Sequence, residues 1–152
     1  MALTPLNDDQ RRSIEALVDA RRIEAVPVDP DRAAKFLRQA QARIEELSRI
    51  TAEVVRFGVA YDAAHDIGEA LLASYGYRTK SGPGQHEALG RFLKAVLVAP
   101  PGDRAARQFD RLRTSRNRDR YEAQPIAEAD CTRAERAARD LFASALDRGV
   151  KR

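Results

Sequence analysis

The longest regular pattern in this chain is an apolar stripe through Val54, Phe57, Gly58, Tyr61, Ala64, His65, Gly68, Leu71, Leu72 and Tyr75, closed by Gly76. Steps of three and four residues place these positions along one side of a helix beginning at Thr51, and glycine is the residue that best accepts a left-handed C-terminal cap. A half-buried strand would show strict alternation instead, so the segment reads as one long helix buried along its length. Gly58 and Gly68, both on the stripe, predict close packing against a neighbouring helix.

The rest of the chain reads as helix too. Asn7 and Gln10 have the spacing of a capping box, and Ile14, Leu17 and Val18 follow in a short amphipathic helix ending near Arg22. Pro27 and Pro30 separate it from the next, where Asp29-Pro30 places an N-cap before a proline at the first helical position. There Ala33, Ala34, Leu37, Ala40, Ile44 and Leu47 repeat at helical spacing to about Ile50. Tyr77 to Gly84 holds too many breakers for regular structure and reads as a loop. His86, Leu89, Phe92, Leu93, Val96 and Leu97 form a fourth helix, stopped by Pro100-Pro101-Gly102, and Asp103 caps a fifth that Gln124-Pro125 ends. Thr132 and Glu135 suggest a second capping box, opening a last helix through Ala134, Ala137, Ala138, Leu141, Phe142 and Ala145 to Gly149. The expectation is an all-α up-and-down bundle of about six helices with no sheet: a single domain over 1–152, in which 1–26 is a helical extension and 29–148 the core.

The chain carries 27 basic residues against 23 acidic ones; lysine stands only at 35, 80, 94 and 151, so the other 23 are arginine. A GC-rich genome produces such a bias everywhere, but local clustering is more informative: seven arginines fall between 104 and 120. One cysteine, Cys131, and two histidines give neither an internal disulfide nor a zinc quartet of the usual spacing. The start lacks a signal-peptide pattern and no apolar run approaches membrane-spanning length, so a cytoplasmic protein without membrane contact or cofactor is expected.

Within the arginine run, Arg116 follows Leu112 by four residues and Phe109 by seven, so it shares their apolar stripe rather than the solvated face. A buried guanidinium requires an anion or several acceptors, and phosphate is the counterion that its fork fits. Arg113 and Arg120 lie on the same side. Ion pairs with Asp110, Asp119 or Glu122 are the plainer fate for both. Arg104, Arg107, Arg111 and Arg118 form the opposite stripe, either a solvated surface or a strip that tracks phosphates. Among the other residues, His65 with Asp62 three positions earlier reads as a hydrogen-bonded core or interface histidine. His86, after Gly-Pro-Gly-Gln, reads as a helix-start residue; service as a displaced catalytic base would require the fourth helix to approach the arginines. Cys131 reads as inert, and Tyr75 and Tyr77 as packing residues that also have the shape to stack on bases.

The order Tyr61-Asp-Ala-Ala-His-Asp-Ile-Gly-Glu-Ala-Leu-Leu-Ala-Ser-Tyr-Gly-Tyr77, then His86-Glu-Ala-Leu89, then Arg113-Thr-Ser-Arg-Asn-Arg-Asp-Arg-Tyr121, then an alanine-rich final helix, resembles bacterial HEPN-domain proteins over roughly residues 30 to 148. The resemblance implies a helical bundle that forms a homodimer, with the Arg-Asn motifs of both subunits facing one cleft. It further implies a metal-independent ribonuclease acting as a toxin of a toxin–antitoxin system or as a phage-defence factor. The catalytic assignments it carries over are Arg116 and Asn117, with Tyr121 where the motif has histidine; Arg113, Arg118 and Arg120 would contact RNA phosphates. There is no histidine after His86. A tyrosine, with its ordinary pKa near 10, is a poor base at neutral pH, although neighbouring arginines favour its phenolate and it can still donate a proton. Other readings therefore stand beside the nuclease: an inactive HEPN module that binds RNA or a nucleotide, or one that docks a cognate antitoxin, a neighbouring-gene product or another partner as a scaffold.

Overall fold

The computed structural model describes residues 2–152. Asn7 opens α1 (Asp8–Asp19) with the expected reciprocal capping box, its side chain accepting from the Gln10 amide while Gln10 accepts from the Asn7 amide, each at 2.8 Å. Arg21 then takes a left-handed conformation, φ 58°, so the helix stops short of Arg22. A short strand, β1 (Ile23–Ala25), follows. Asp29 caps α2 (Pro30–Glu46) by accepting from the Arg32 amide at 2.9 Å, and a single 3-10 turn over Leu47–Arg49 leads towards α3 (Glu53–Tyr75). Gly76 ends α3 in the left-handed conformation, as its sequence predicts.

The absence of a sheet was the wrong expectation. Tyr77–Thr79 forms β2, which pairs antiparallel with β1 in the register Ile23 to Thr79 and Ala25 to Tyr77. Both connectors run beside each other across one end of the bundle, and pairing satisfies backbone groups that would otherwise need water. Local sequence offered no alternation long enough to announce three-residue strands.

After the turn at Ser81–Gly84 come α4 (Gln85–Val96), α5 (Gly102–Glu122) and α6 (Glu128–Asp147). Asp103 lies inside the first turn of α5 rather than at its cap, and α5 ends at Ala123, left-handed at φ 51°, before the expected Gln124-Pro125. Thr132 and Glu135 sit within α6, not at its start. Ile126 is buried just before that helix, which anchors the connection and lets α6 begin a turn earlier than its capping-type residues suggest.

α3 is the central element. It packs on α2, α6, α4 and α5, and is buried on nearly all sides, with Phe57, Tyr61, Ile67, Leu71 and Leu72 essentially inaccessible. Gly68 lets α4 approach so closely that a Cβ there would lie 2.7 Å from Leu89 Cδ1, whereas Gly58 faces open space and serves no contact. α1 folds back on its own chain: Ile14 and Leu17 enter the core, and the buried Gln10 amide donates to the Val96 carbonyl at 2.7 Å. The two ends of the chain meet at Tyr75. Thr4 N donates to Arg148 O at 2.7 Å, the Tyr75 hydroxyl donates to Thr4 O at 2.6 Å, and Arg148 Nε donates to the Tyr75 hydroxyl at 2.8 Å.

Candidate functional site

The i, i+4, i+8 spacing on α3 sets Tyr61, His65 and Glu69 in a row along one face, and the crossing at Gly68 brings the first turn of α4 against it. His86 therefore meets both rings. Its imidazole stacks on Tyr61 with centroids 5.7 Å apart and lies 4.7 Å from the His65 ring. Phe109 of α5 stacks on Tyr61 as well, at 5.1 Å. One turn and three residues further along α5, the Arg116 guanidinium lies over the Tyr61 ring, 5.2 Å from its centroid. The arginine helix and the histidine helix thus converge on one buried tyrosine.

Tyr61 is wholly inaccessible, and its hydroxyl is 2.9 Å from His86 Nδ1, with no other hydrogen-bond partner among the described residues. Burial pushes its pKa up, outweighing the opposing pull of Arg116 and Arg113, so the phenol keeps its proton. A lone hydroxyl hydrogen with one acceptor in reach donates to that acceptor. His86 in its neutral form consequently accepts at Nδ1 and carries its hydrogen at Nε2. Among the described residues His86 Nε2 has no hydrogen-bond partner, and it is not one of the buried unpartnered atoms.

Both imidazoles are held towards the neutral form. Burial, then His86 and Arg116, lowers His65 to about 4. Burial, then Arg116, lowers His86 too; Asp62 opposes this, and Arg113 and Arg120 reinforce it. His65 does not make the hydrogen bond expected of a core histidine. Its Nε2 is buried and unpartnered, with Glu69 Oε1 at 3.9 Å, beyond hydrogen-bond range, and no bond joins it to Asp62.

The arginines divide sharply. Arg116 is half-buried and has no carboxylate within 4.0 Å among the described residues. Arg113 has the plain ion pair expected of it, with Asp110 Oδ1 at 3.5 Å, but shares that carboxylate with Lys94 at 3.6 Å and leaves its own Nε buried and unpartnered. Arg120 is exposed without a carboxylate partner among the described residues, and Asn117 is half-buried. Arg118 faces elsewhere: with Arg111 and Arg133 it lines an open groove of about 410 Å³ between α5 and α6, beside Ser115 and Asp130.

Tyr121 does not join this cluster within the protomer. Five residues past Arg116 rotates it about 140° around the helix, and its side chain is 81% exposed. Sequence reasoning carried over Tyr121, left Tyr61 in the apolar stripe and read His65 as a core or interface histidine. It allowed His86 a catalytic part only if the fourth helix approached the arginines, which it does through Tyr61. The available signal was that two titratable rings share the α3 stripe, a costly arrangement for mere filling.

Among the described residues no group of three His, Cys, Asp or Glu side chains is arranged to hold a metal ion, and no helix is long and apolar enough to cross a membrane. Cys131 is buried, its thiol directed at the Glu53 carbonyl at 3.7 Å and its pKa raised by burial. No family model, curated protein or solved structure matches this chain.

Proposed function

We propose that this chain is a HEPN-type, RNA-directed protein that binds a phosphodiester at Arg116 and works as a metal-independent, ribonuclease-like toxin or defence factor. The observation that carries the reading is Arg116 itself: a half-buried guanidinium, placed on an aromatic ring, without a carboxylate. Such a group is costly unless an anion completes it, and an arginine fork fits two phosphate oxygens. Arg113 and Arg120 add positive charge on the same side.

Cleavage at such a site joins the RNA 2′-oxygen to phosphorus and breaks the bond to the 5′-oxygen. The 2′-hydroxyl proton leaves to a base and the departing oxygen takes one up, giving a cyclic phosphate and a 5′-hydroxyl end. Arg116 would offset the charge that grows on the phosphoryl oxygens, and Asn117 would position the strand. In a homodimer two such sites face one cleft, which is also where a cognate antitoxin or neighbouring-gene product would dock.

The exposure of Tyr121 favours a second reading, in which the site holds RNA without cutting it, because the residue in the motif histidine's place stands apart from Arg116. Labelled single-stranded RNA and tRNA incubated with the protein in chelator separate the two. The nuclease reading expects cleavage that survives chelator, falls by about 100-fold or more in Arg116→Ala, and responds to Tyr121→Phe. Intact RNA with salt-sensitive binding that Arg116→Ala removes supports the non-cleaving reading. No binding at all sinks both.

A further inference from the structure

Two observations at the Tyr61 cluster point beyond a simple arginine–phosphate contact. The first is that one histidine nitrogen carries a hydrogen without an acceptor among the described residues: Tyr61 occupies His86 Nδ1, which leaves Nε2–H as the spare donor. The second is that His86 and Arg116 flank the same ring, at 5.7 and 5.2 Å from its centroid, and so lie at most about 11 Å apart, the sum of those distances. At that separation or less, the two groups are within reach of a single phosphate, whose oxygens accept hydrogen bonds of about 2.9 Å.

We propose that His86 and Arg116 form a proton-linked phosphodiester site, in which one anion is held by both the guanidinium and His86 Nε2 and its arrival strengthens proton binding by His86. This rests on the reading of Arg116 as a phosphate-binding residue and names how the same site is regulated.

The electrostatic surroundings supply the linkage. From α5, Arg116, Arg113 and Arg120 repel a charged imidazole; from α3, Asp62 attracts it, while neutral His65 and the protonated Tyr61 phenol give no compensating negative charge. Burial adds to the repulsion, so the empty site keeps His86 neutral at neutral pH. A bound phosphodiester reverses that balance. It neutralises the arginine field and sits against Nε2, where imidazolium makes a charge-assisted bond. Once His86 is charged, Nδ1–H donates to the Tyr61 oxygen and the buried hydroxyl hydrogen loses its acceptor, a cost that the charge-assisted bond from Nε2 to the anion offsets. His65, whose Nε2 is buried, stays neutral.

Linkage fixes the sign. His86 binds a proton more tightly in the complex than in the empty site, so affinity is greatest below the free value and declines as pH rises through the interval up to the bound value. The decline is at most about tenfold per pH unit, and affinity levels off above that interval.

The chain has only two histidines, so proton NMR of the intact protein resolves both imidazoles without any substitution. The probe is a 2′-O-methyl oligouridylate, which has no 2′-hydroxyl to attack and whose diester charge and bases do not titrate across the acid-to-neutral range. The expected result is that one imidazole moves to a higher titration midpoint when the oligonucleotide is added while the other stays near 4. Affinity should strengthen towards acid pH, and His86→Gln should flatten that dependence while retaining binding at pH 8. Oligonucleotide binding that Arg116→Ala abolishes, with neither imidazole moving, overturns the proton linkage and leaves the RNA-directed reading intact. Inorganic sulfate, a dianion throughout this range, gives the converse: a sulfate-induced shift of His86 with no oligonucleotide binding supports the proton-linked anion site and removes RNA as its ligand.

Discussion

Gly58 and Gly68 stand ten residues apart on α3 and have opposite surroundings, which gives a paired test. Gly68→Ala would drive a methyl group to within 2.7 Å of Leu89, whose side chain is wholly buried and has nowhere to retreat. It should destabilise the protein by about 1–3 kcal/mol in urea unfolding. Gly58→Ala meets nothing within 4 Å and gains helix propensity, so it should stabilise by about 0.5–1 kcal/mol in the same measurement. The stripe in the sequence set both glycines inward, but only Gly68 meets a neighbouring helix, because periodicity locates a stripe and not the element that covers it. The same gap explains the histidines. Their faces were legible from Tyr61, His65 and the helix start at His86, whereas their meeting depends on how α4 crosses α3, which no local pattern encodes. Tyr121 shows the converse: motif spacing suggested a catalytic place, while within the protomer five residues of helix turn its side chain away from Arg116.

The elements themselves were read from start and stop signals, and these succeeded where a signal acts through its own helix. Asn7 with Gln10, Asp29-Pro30 and Gly76 all cap as their types dictate. Thr132 with Glu135 has the right spacing but lies inside α6, because burial of Ile126 starts that helix earlier. Gln10 does two jobs. Besides closing the capping box it reaches Val96, one of the last carbonyls of α4, which have no partner within their helix. Gln10→Ala should therefore cost about 1–3 kcal/mol and, in hydrogen exchange, speed the amides of both α1 and the end of α4. Faster exchange in α1 alone would show that the link to Val96 contributes nothing. The β1–β2 pair was illegible at this scale, since its three-residue strands owe their pairing to the two connectors they lie in rather than to their own composition.

At the scale of the whole molecule, the bundle and its six helices followed from sequence periodicity, and the placement of α1 on its own protomer did not. The buried row on α3 makes global stability sensitive to acid. His65 titrates at about 4 in the folded chain and near 6.5 when unfolded, so the unfolded state binds more protons between those values. The stability that depends on neutral His65 is thus complete above pH 6.5 and is lost as pH falls towards 4, a change on the order of 3 kcal/mol. Asp66 and Glu69, whose pKa values burial raises, change in the opposite sense. Comparison with His65→Gln, which retains both carboxylates, isolates the histidine. The advantage of the variant in unfolding free energy should grow by that amount from pH 7 to pH 4, and a constant difference would show that His65 is not held neutral. The clasp of Thr4, Tyr75 and Arg148 bears on how the molecule can be handled. Anything joined to either end of the chain departs from the Tyr75 end of α3, whereas Tyr61 lies fourteen residues back, about 21 Å along the helix axis. Affinity tags, surface tethers or a pair of dyes on the two ends therefore sit together at one pole and leave the arginine cluster uncovered.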